Sequence, residues 1–212
     1  MEIHTLFFDL DNTLYPKSSG LMDAIRNRII DYMRDEMKLD NEEISSIREY
    51  SLKKYGTTLV GLIELYGIDQ QYYLEYVHSI NLQDYLKPDP ETTKTLQALP
   101  QRKFIFSNAD SNHIHRVLDY LGVRDFFEGI IDVHQLMPYV KPKPEAFERA
   151  LVAAGMTSWD GCAFIDDYLP NILTAEKKGI YSILIDENSE SHYKNCIPSI
   201  YFLKDLLNSK GI

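Results

Sequence analysis

Two carboxylates, Asp9 and Asp11, stand one residue apart where the apolar run of "LFFDLDNT" gives way to a turn. A charge so close to a buried strand is costly unless it is paired, bound to a metal or engaged in chemistry. On a strand this spacing directs both side chains to one side, although a solvated strand-to-turn corner uses the same residue types. Three further segments carry complementary groups. "FSNAD" puts Ser107 and Asn108 after a second apolar run, where a hydroxyl and backbone N–H groups can cradle the oxygens of a phosphate or cap a helix. "YVKPKPEAF" sets Lys141 and Lys143 ahead of a helix start, able to neutralise an anion or to sit in water. "AFIDDYLPN" places Asp166 and Asp167 side by side. Both cannot be desolvated without a cation, and hard oxygen ligands imply Mg²⁺.

Elements that would position these groups are visible in the pattern. Five runs, near residues 5–10, 103–107, 129–133, 162–166 and 181–186, are almost continuously apolar, as in strands covered on both faces. Helical periodicity fills the gaps. Ile114, Val117, Leu118 and Leu121 share a face before Gly122, and Pro144 and Pro170 each suit a first helical turn. Such alternation predicts an α/β fold with a parallel sheet and helices on both faces. Residues 16–86 break the rhythm with helical patterns only, near 21–37, 41–55, 57–66 and 69–80. They read as an inserted helical subdomain, with residues 1–15 and 87–212 as the core and "KPDP" at 87–90 as the return linker.

Composition narrows the possible functions. The 212 residues are 44% hydrophobic and 25% charged, as in an ordinary globular protein. A formal net charge of -10 argues against nucleic-acid and anionic-membrane partners, which need a basic footprint. Two cysteines, Cys162 and Cys196, form no disulfide framework or zinc spacing. With no signal-like N-terminus, they lead to the expectation of a soluble cytoplasmic protein. The six histidines show no metal-ligand spacing, and His113 and His115 face different ways on their helix, so a structural role is expected for them. Eight tyrosines in the inserted segment are read as core at helical spacing, with base stacking as the alternative.

The four segments "DLDNT", "SN", "KPKPEAF" and "DD" together resemble the haloacid dehalogenase superfamily, in particular its phosphatases with a helical cap. "DLDNTLY", "KYGTTLVGL", "DYLKPDPE" and "HIHRVLDYLGVRDFFEGIID" are similar to the pyrimidine 5′-nucleotidase branch. The resemblance implies a Rossmann-like five-stranded sheet of order 5-4-1-2-3 with an inserted cap. It implies Asp9 as the nucleophile forming an aspartyl phosphate and Asp11 as the acid and base. Mg²⁺ would be held by Asp9, Asp166 and the backbone carbonyl of Asp11, with Asp167 in support through water. Ser107, Asn108 and nearby amides would bind phosphoryl oxygens, Lys141 rather than Lys143 would offset charge, and Thr13 would orient the first loop. The implied substrate is a small phosphate ester, a pyrimidine nucleoside monophosphate, read by cap residues such as Tyr55, Thr57 and Thr58.

Other functions fit less well. Dehalogenation does not need an acid at the Asp11 position; generalist or sugar-phosphate phosphatase and phosphomutase activities remain alternatives. A phospho-accepting signalling module would carry its acidic pair first and its phosphorylated aspartate on a middle strand, the reverse of the order here. A module that only binds nucleotide would be expected to lack one of the carboxylates.

Overall fold

The computed structural model describes residues 2–211. Its six parallel strands are β1 Thr5–Phe8, β2 Arg102–Phe106, β3 Gly129–Ile131, β4 Cys162–Asp166, β5 Tyr181–Ile185 and β6 Cys196–Ile197, ordered β3-β2-β1-β4-β5-β6. The expected 5-4-1-2-3 order holds. The sheet has one strand more than the five expected, because the two-residue β6 pairs with the outer edge of β5 and is too short to show a hydrophobic period. β1 lies at the centre, in register with β2 and β4 on either side.

Alternation along the strands divides the core in two. Leu6, Phe8, Ile105, Ile165 and Ile183 belong to one buried cluster, and Phe7, Phe104, Phe106 and Phe164 to the other. Helices α5 (Pro90–Gln97), α6 (Ser111–Leu121) and α10 (Leu203–Ser209) pack into the first cluster. α7 (Val133–Leu136), α8 (Pro144–Ala153) and α9 (Leu169–Lys177) pack into the second. Both faces are therefore covered, which is why the strands are apolar throughout.

Between β1 and β2 the chain inserts α1 (Leu21–Asp35), α2 (Asn41–Tyr55), α3 (Thr58–Tyr66) and α4 (Gln70–His78), with no strand among them. Local chemistry sets their starts. Asp40 caps α2 in a reciprocal capping box with Glu43, while Thr57 caps α3 and Asp69 caps α4. Leu21 and Ile25 of α1 join the first core cluster. Tyr32 and Met33 join the second, so the segment is anchored to the sheet core. The stretch after 87 is a linker only as far as Asp89, which caps α5. No helix among the described residues is long and apolar enough to cross a membrane.

The α2–α3 contact is tight enough to test. A Cβ on Gly61 would lie 2.0 Å from Ser51 Oγ and 2.3 Å from Ser51 Cβ, and Ser51 is fully buried. Alanine in a helix normally gains about 1 kcal/mol over glycine, but overpacking costs about 1–3 kcal/mol. The clash therefore decides the sign. Gly61→Ala is expected to lower the urea midpoint, with Ser51→Gly restoring part of the loss; a raised midpoint for Gly61→Ala would contradict this packing.

Candidate functional site

The site lies at the carboxyl ends of β1, β2 and β4, where parallel sheets bind ligands. Asp9 directly follows β1, and its N–H continues the ladder to Ile165 O at 2.8 Å. Asp11 is placed differently from the expectation of a shared strand face. β1 ends at Phe8 and the chain turns, with Asn12 in the left-handed region at φ 61°. The N–H groups of Thr13 and Leu14 both reach Leu10 O, at 3.3 and 3.0 Å. It is this turn, rather than strand alternation, that brings the Asp11 carboxylate to the pocket.

Lys141 is the hub. Although only 1% exposed, its ammonium donates to Asp9 Oδ1 at 2.8 Å and to Asp166 Oδ2 at 2.7 Å. The Phe106 and Phe164 ring centroids lie 4.9 and 5.1 Å from it. Asn108 holds the Lys141 backbone at two points, with Nδ2 donating to Lys141 O at 2.9 Å and Oδ1 accepting from Lys141 N at 3.0 Å. Its side chain thus positions the lysine. Ser107 is buried, lines the pocket and accepts from Ala109 N at 3.0 Å. Thr13 donates to Asp9 Oδ2 at 3.4 Å. Lys143 is the N-cap residue of α8 and lies outside this array.

Asp166, at the end of β4, is fully buried. Besides Lys141 it accepts from Tyr168 N at 2.8 Å and from Asn171 Nδ2 at 3.0 and 2.9 Å. Asp167 accepts from Asn12 Nδ2 at 3.1 Å. One oxygen each from Asp9, Asp166 and Asp167 lie within 4.8 Å of one another. Three carboxylates with hard oxygen donors suit Mg²⁺; the Asp11 carboxylate is outside this cluster. Burial pushes Asp9 well above the usual carboxylate range against the pull of Lys141, and Asp166, Asp167 and Asp11 push the same way. Burial and the Asp166 charge raise Asp167 to about 6.

Two histidines for which the sequence pattern suggested only a structural role join the site. His113 Nε2 lies 3.1 Å from Asp11 Oδ1, and Tyr15 OH donates to the same oxygen at 2.5 Å. Burial alone would raise Asp11, but His113 and Tyr15 outweigh it and hold the carboxyl below its ordinary value. His78, at the end of α4, stacks on His113 with centroids 4.2 Å apart, and its Nδ1 lies 2.5 Å from Asp110 Oδ2. The i, i+2 relation to His115 correctly separated the two α6 histidines, but only the fold shows that one of them faces Asp11. Asn171 was also missed; its place in the first turn of α9, five residues after Asp166, was the available signal.

A cavity of about 350 Å³ joins these groups to the inserted helices. Met22, Ile25, Ile29, Leu59 and Val77 give it an apolar wall, and Thr57, Thr58, Arg26 and His78 give it polar points. Tyr73 alone of the eight tyrosines in residues 16–86 is among its lining residues. Tyr55 instead packs on Tyr50 and Lys54.

The chain matches the model of haloacid dehalogenase-like hydrolases over residues 3–179. It belongs to this family. It is 33% identical over 192 residues to phosphate metabolism protein 8 of Saccharomyces cerevisiae, covering 84% of this chain and 60% of that protein. It therefore spans less than two thirds of that relative's length. The glyceraldehyde 3-phosphate phosphatase of Methanopyrus kandleri is 26% identical over 196 residues, 86% of this chain and 84% of that one. Among solved structures, the magnesium-bound HAD-hydrolase YfnB of Bacillus subtilis superposes with a TM-score of 0.66 at 18% identity, covering 100% of both chains.

The raised carboxyl of Asp167 has a consequence for stability. Its ordinary value of 3.8 applies when unfolded, and about 6 when folded. Between those values the folded state binds the extra proton, so this group's contribution falls as pH rises and is level above the folded value. Asp167→Asn removes that slope. The melting temperature of the variant minus that of wild type, measured without metal, is expected to rise from about pH 4 to about pH 6 and then to flatten. A difference independent of pH, or one that falls, would contradict the assignment.

Proposed function

We propose that this protein is a Mg²⁺-dependent phosphomonoester hydrolase of the cytoplasm that works through an aspartyl phosphate, with a pyrimidine nucleoside monophosphate as substrate. The observation that carries the reading is Asp9, pinned by Lys141 and Thr13 at the pocket with a second carboxylate, Asp11, beside it. Asp9 attacks phosphorus, forming an O–P bond as the ester P–O bond breaks, and the leaving oxygen takes a proton from Asp11. Asp11 then removes a proton from water, which attacks phosphorus, frees Asp9 and releases phosphate. Asp11 lies low in the free protein; the phosphate dianion arriving beside it favours its protonated form. Lys141 favours the ionised Asp9 that attack requires, against the desolvation that opposes it. Ser107 and the adjacent backbone amides receive phosphoryl oxygens, while Asn108 fixes the lysine. Mg²⁺, held by Asp9, Asp166 and the Asp11 carbonyl with Asp167 in support, would neutralise charge between the carboxylates and the phosphate.

The apolar wall from the inserted helices supports the choice of substrate. A flat heteroaromatic base suits such a wall, and Thr57, Thr58, Arg26 and His78 offer polar points to the edge of the base and to the ribose. A cavity near the small end of the usual range of about 300–1,000 Å³ also favours a pyrimidine over a purine. With Mg²⁺ present, kcat/KM for UMP or CMP is expected to exceed that for AMP, GMP and glucose 6-phosphate by about tenfold or more, and EDTA is expected to abolish turnover. Equal rates would mean a generalist phosphatase, preference for glucose 6-phosphate a sugar phosphatase, and full activity in EDTA would overturn the metal assignment.

A further inference from the structure

Asp11 presents its two oxygens unequally. Oδ1 receives both Tyr15 OH and His113 Nε2. A carboxylate only accepts, so Nε2 is the donor. His113 is 1% exposed, and its Nδ1 is buried with no hydrogen-bond partner among the described residues. The Asp11 contact is therefore the hydrogen bond that its ring makes at that site. One face of the ring is covered by His78 of the inserted segment, itself tied to Asp110, the N-cap of α6. Arg116, also on α6, donates to the carbonyl oxygens of His78, at 2.7 Å, and Ile80, at 2.5 Å. The end of α4 is thus clamped to the helix that carries His113.

We propose that His113 is a positioning residue for the phosphatase reaction. By holding Oδ1 it reserves Oδ2 of Asp11 for the proton exchanged with the leaving oxygen, and through His78 it makes that placement depend on the inserted helices. The inference rests on the acid role assigned to Asp11 above. As the ester P–O bond breaks, the Oδ2 proton passes to the departing oxygen. The negative charge left on Asp11 is shared by the Oδ1 hydrogen bonds, which are stronger to a carboxylate than to the neutral acid. Without the His113 donor Oδ1 is held by Tyr15 OH alone, the carboxyl is less firmly oriented, and proton delivery suffers more than phosphorus attack does.

Phenyl phosphate and p-nitrophenyl phosphate distinguish these effects. They share a ring, but the nitrophenolate departs readily without a proton and phenolate does not. The quantity read is the ratio of kcat/KM on the two esters for each holoenzyme with Mg²⁺. Misfolded protein lowers both rates alike and leaves the ratio unchanged. His113→Leu and His113→Met, two shapes lacking the donor, are expected to lose about tenfold more on phenyl phosphate than on the nitrophenyl ester, within the range of general acid catalysis. His113→Gln, whose side-chain amide can donate to Oδ1, should restore most of the ratio. Asp11→Asn is the reference and should shift the ratio at least as far. If Asp11→Asn shifts it and neither donorless variant does, the role of His113 is wrong while the acid role of Asp11 stands. If His113→Gln behaves like His113→Leu, donation is not what matters and the proposal fails. If Asp11→Asn leaves the ratio unchanged, the acid role itself fails and takes this inference with it.

Discussion

The bridge from the Lys141 ammonium to Asp9 and Asp166 is the interaction on which the rest of the site depends. Three charged groups are withdrawn from water at the end of a central strand. Such an arrangement is a weak source of stability, because desolvation consumes most of the Coulombic gain. Removing one partner, however, leaves an uncompensated buried charge at a cost of about 3–5 kcal/mol. Against a total stability of about 5–15 kcal/mol for a domain, that makes the triad an expensive use of buried polar groups. An apolar core would suffice for folding, so a chemical use explains it better.

Much of the architecture serves to hold that bridge. Asn108, at the end of β2, grips the backbone on both sides of the lysine, and Asn171 on α9 grips the carboxylate at the far end. From the inserted segment, Gly56 approaches the same loop; a Cβ there would stand 3.2 Å from Lys141 O. The left-handed φ of 94° at this residue also suits glycine. Sheet, flanking helices and inserted helices thus meet on one lysine. The Asp11 side is built independently, by a turn and by the paired imidazoles of α4 and α6.

What could be read in the sequence follows the strength of each local signal. β1, β2, β4 and β5 are continuous apolar runs and were legible to within one or two residues. α1 to α4 were legible from their helical periodicity. The elements missed are short or lack a strong pattern: β6 has two residues, α7 has four, α10 has seven, and α5 begins inside a segment that reads as a linker. Asp9, Lys141, Asp166 and Asp167 stand together because strand ends and helix starts bring them to one edge. The histidine pair was not legible. His78 and His113 are separated by 35 positions, and neither has a spacing that marks chemistry; only the packing of α4 on α6 makes them neighbours. Asn108 illustrates a related limit. It was expected to bind phosphoryl oxygens, whereas its side-chain hydrogen bonds go to the Lys141 backbone, on a loop 33 residues away.

A covalent phosphoryl group on Asp9 is the central claim, and chemical trapping tests it most directly. An acyl phosphate is reduced by borohydride to an alcohol, whereas a free carboxylate is not. Protein quenched during turnover of UMP with Mg²⁺, reduced and digested, should give a peptide mass that locates the reduced carboxyl at Asp9. Substrate-free protein should show no reduction. Reduction at Asp11, Asp166 or Asp167 instead, or continued turnover by Asp9→Asn at the wild-type rate, would contradict an aspartyl phosphate at Asp9.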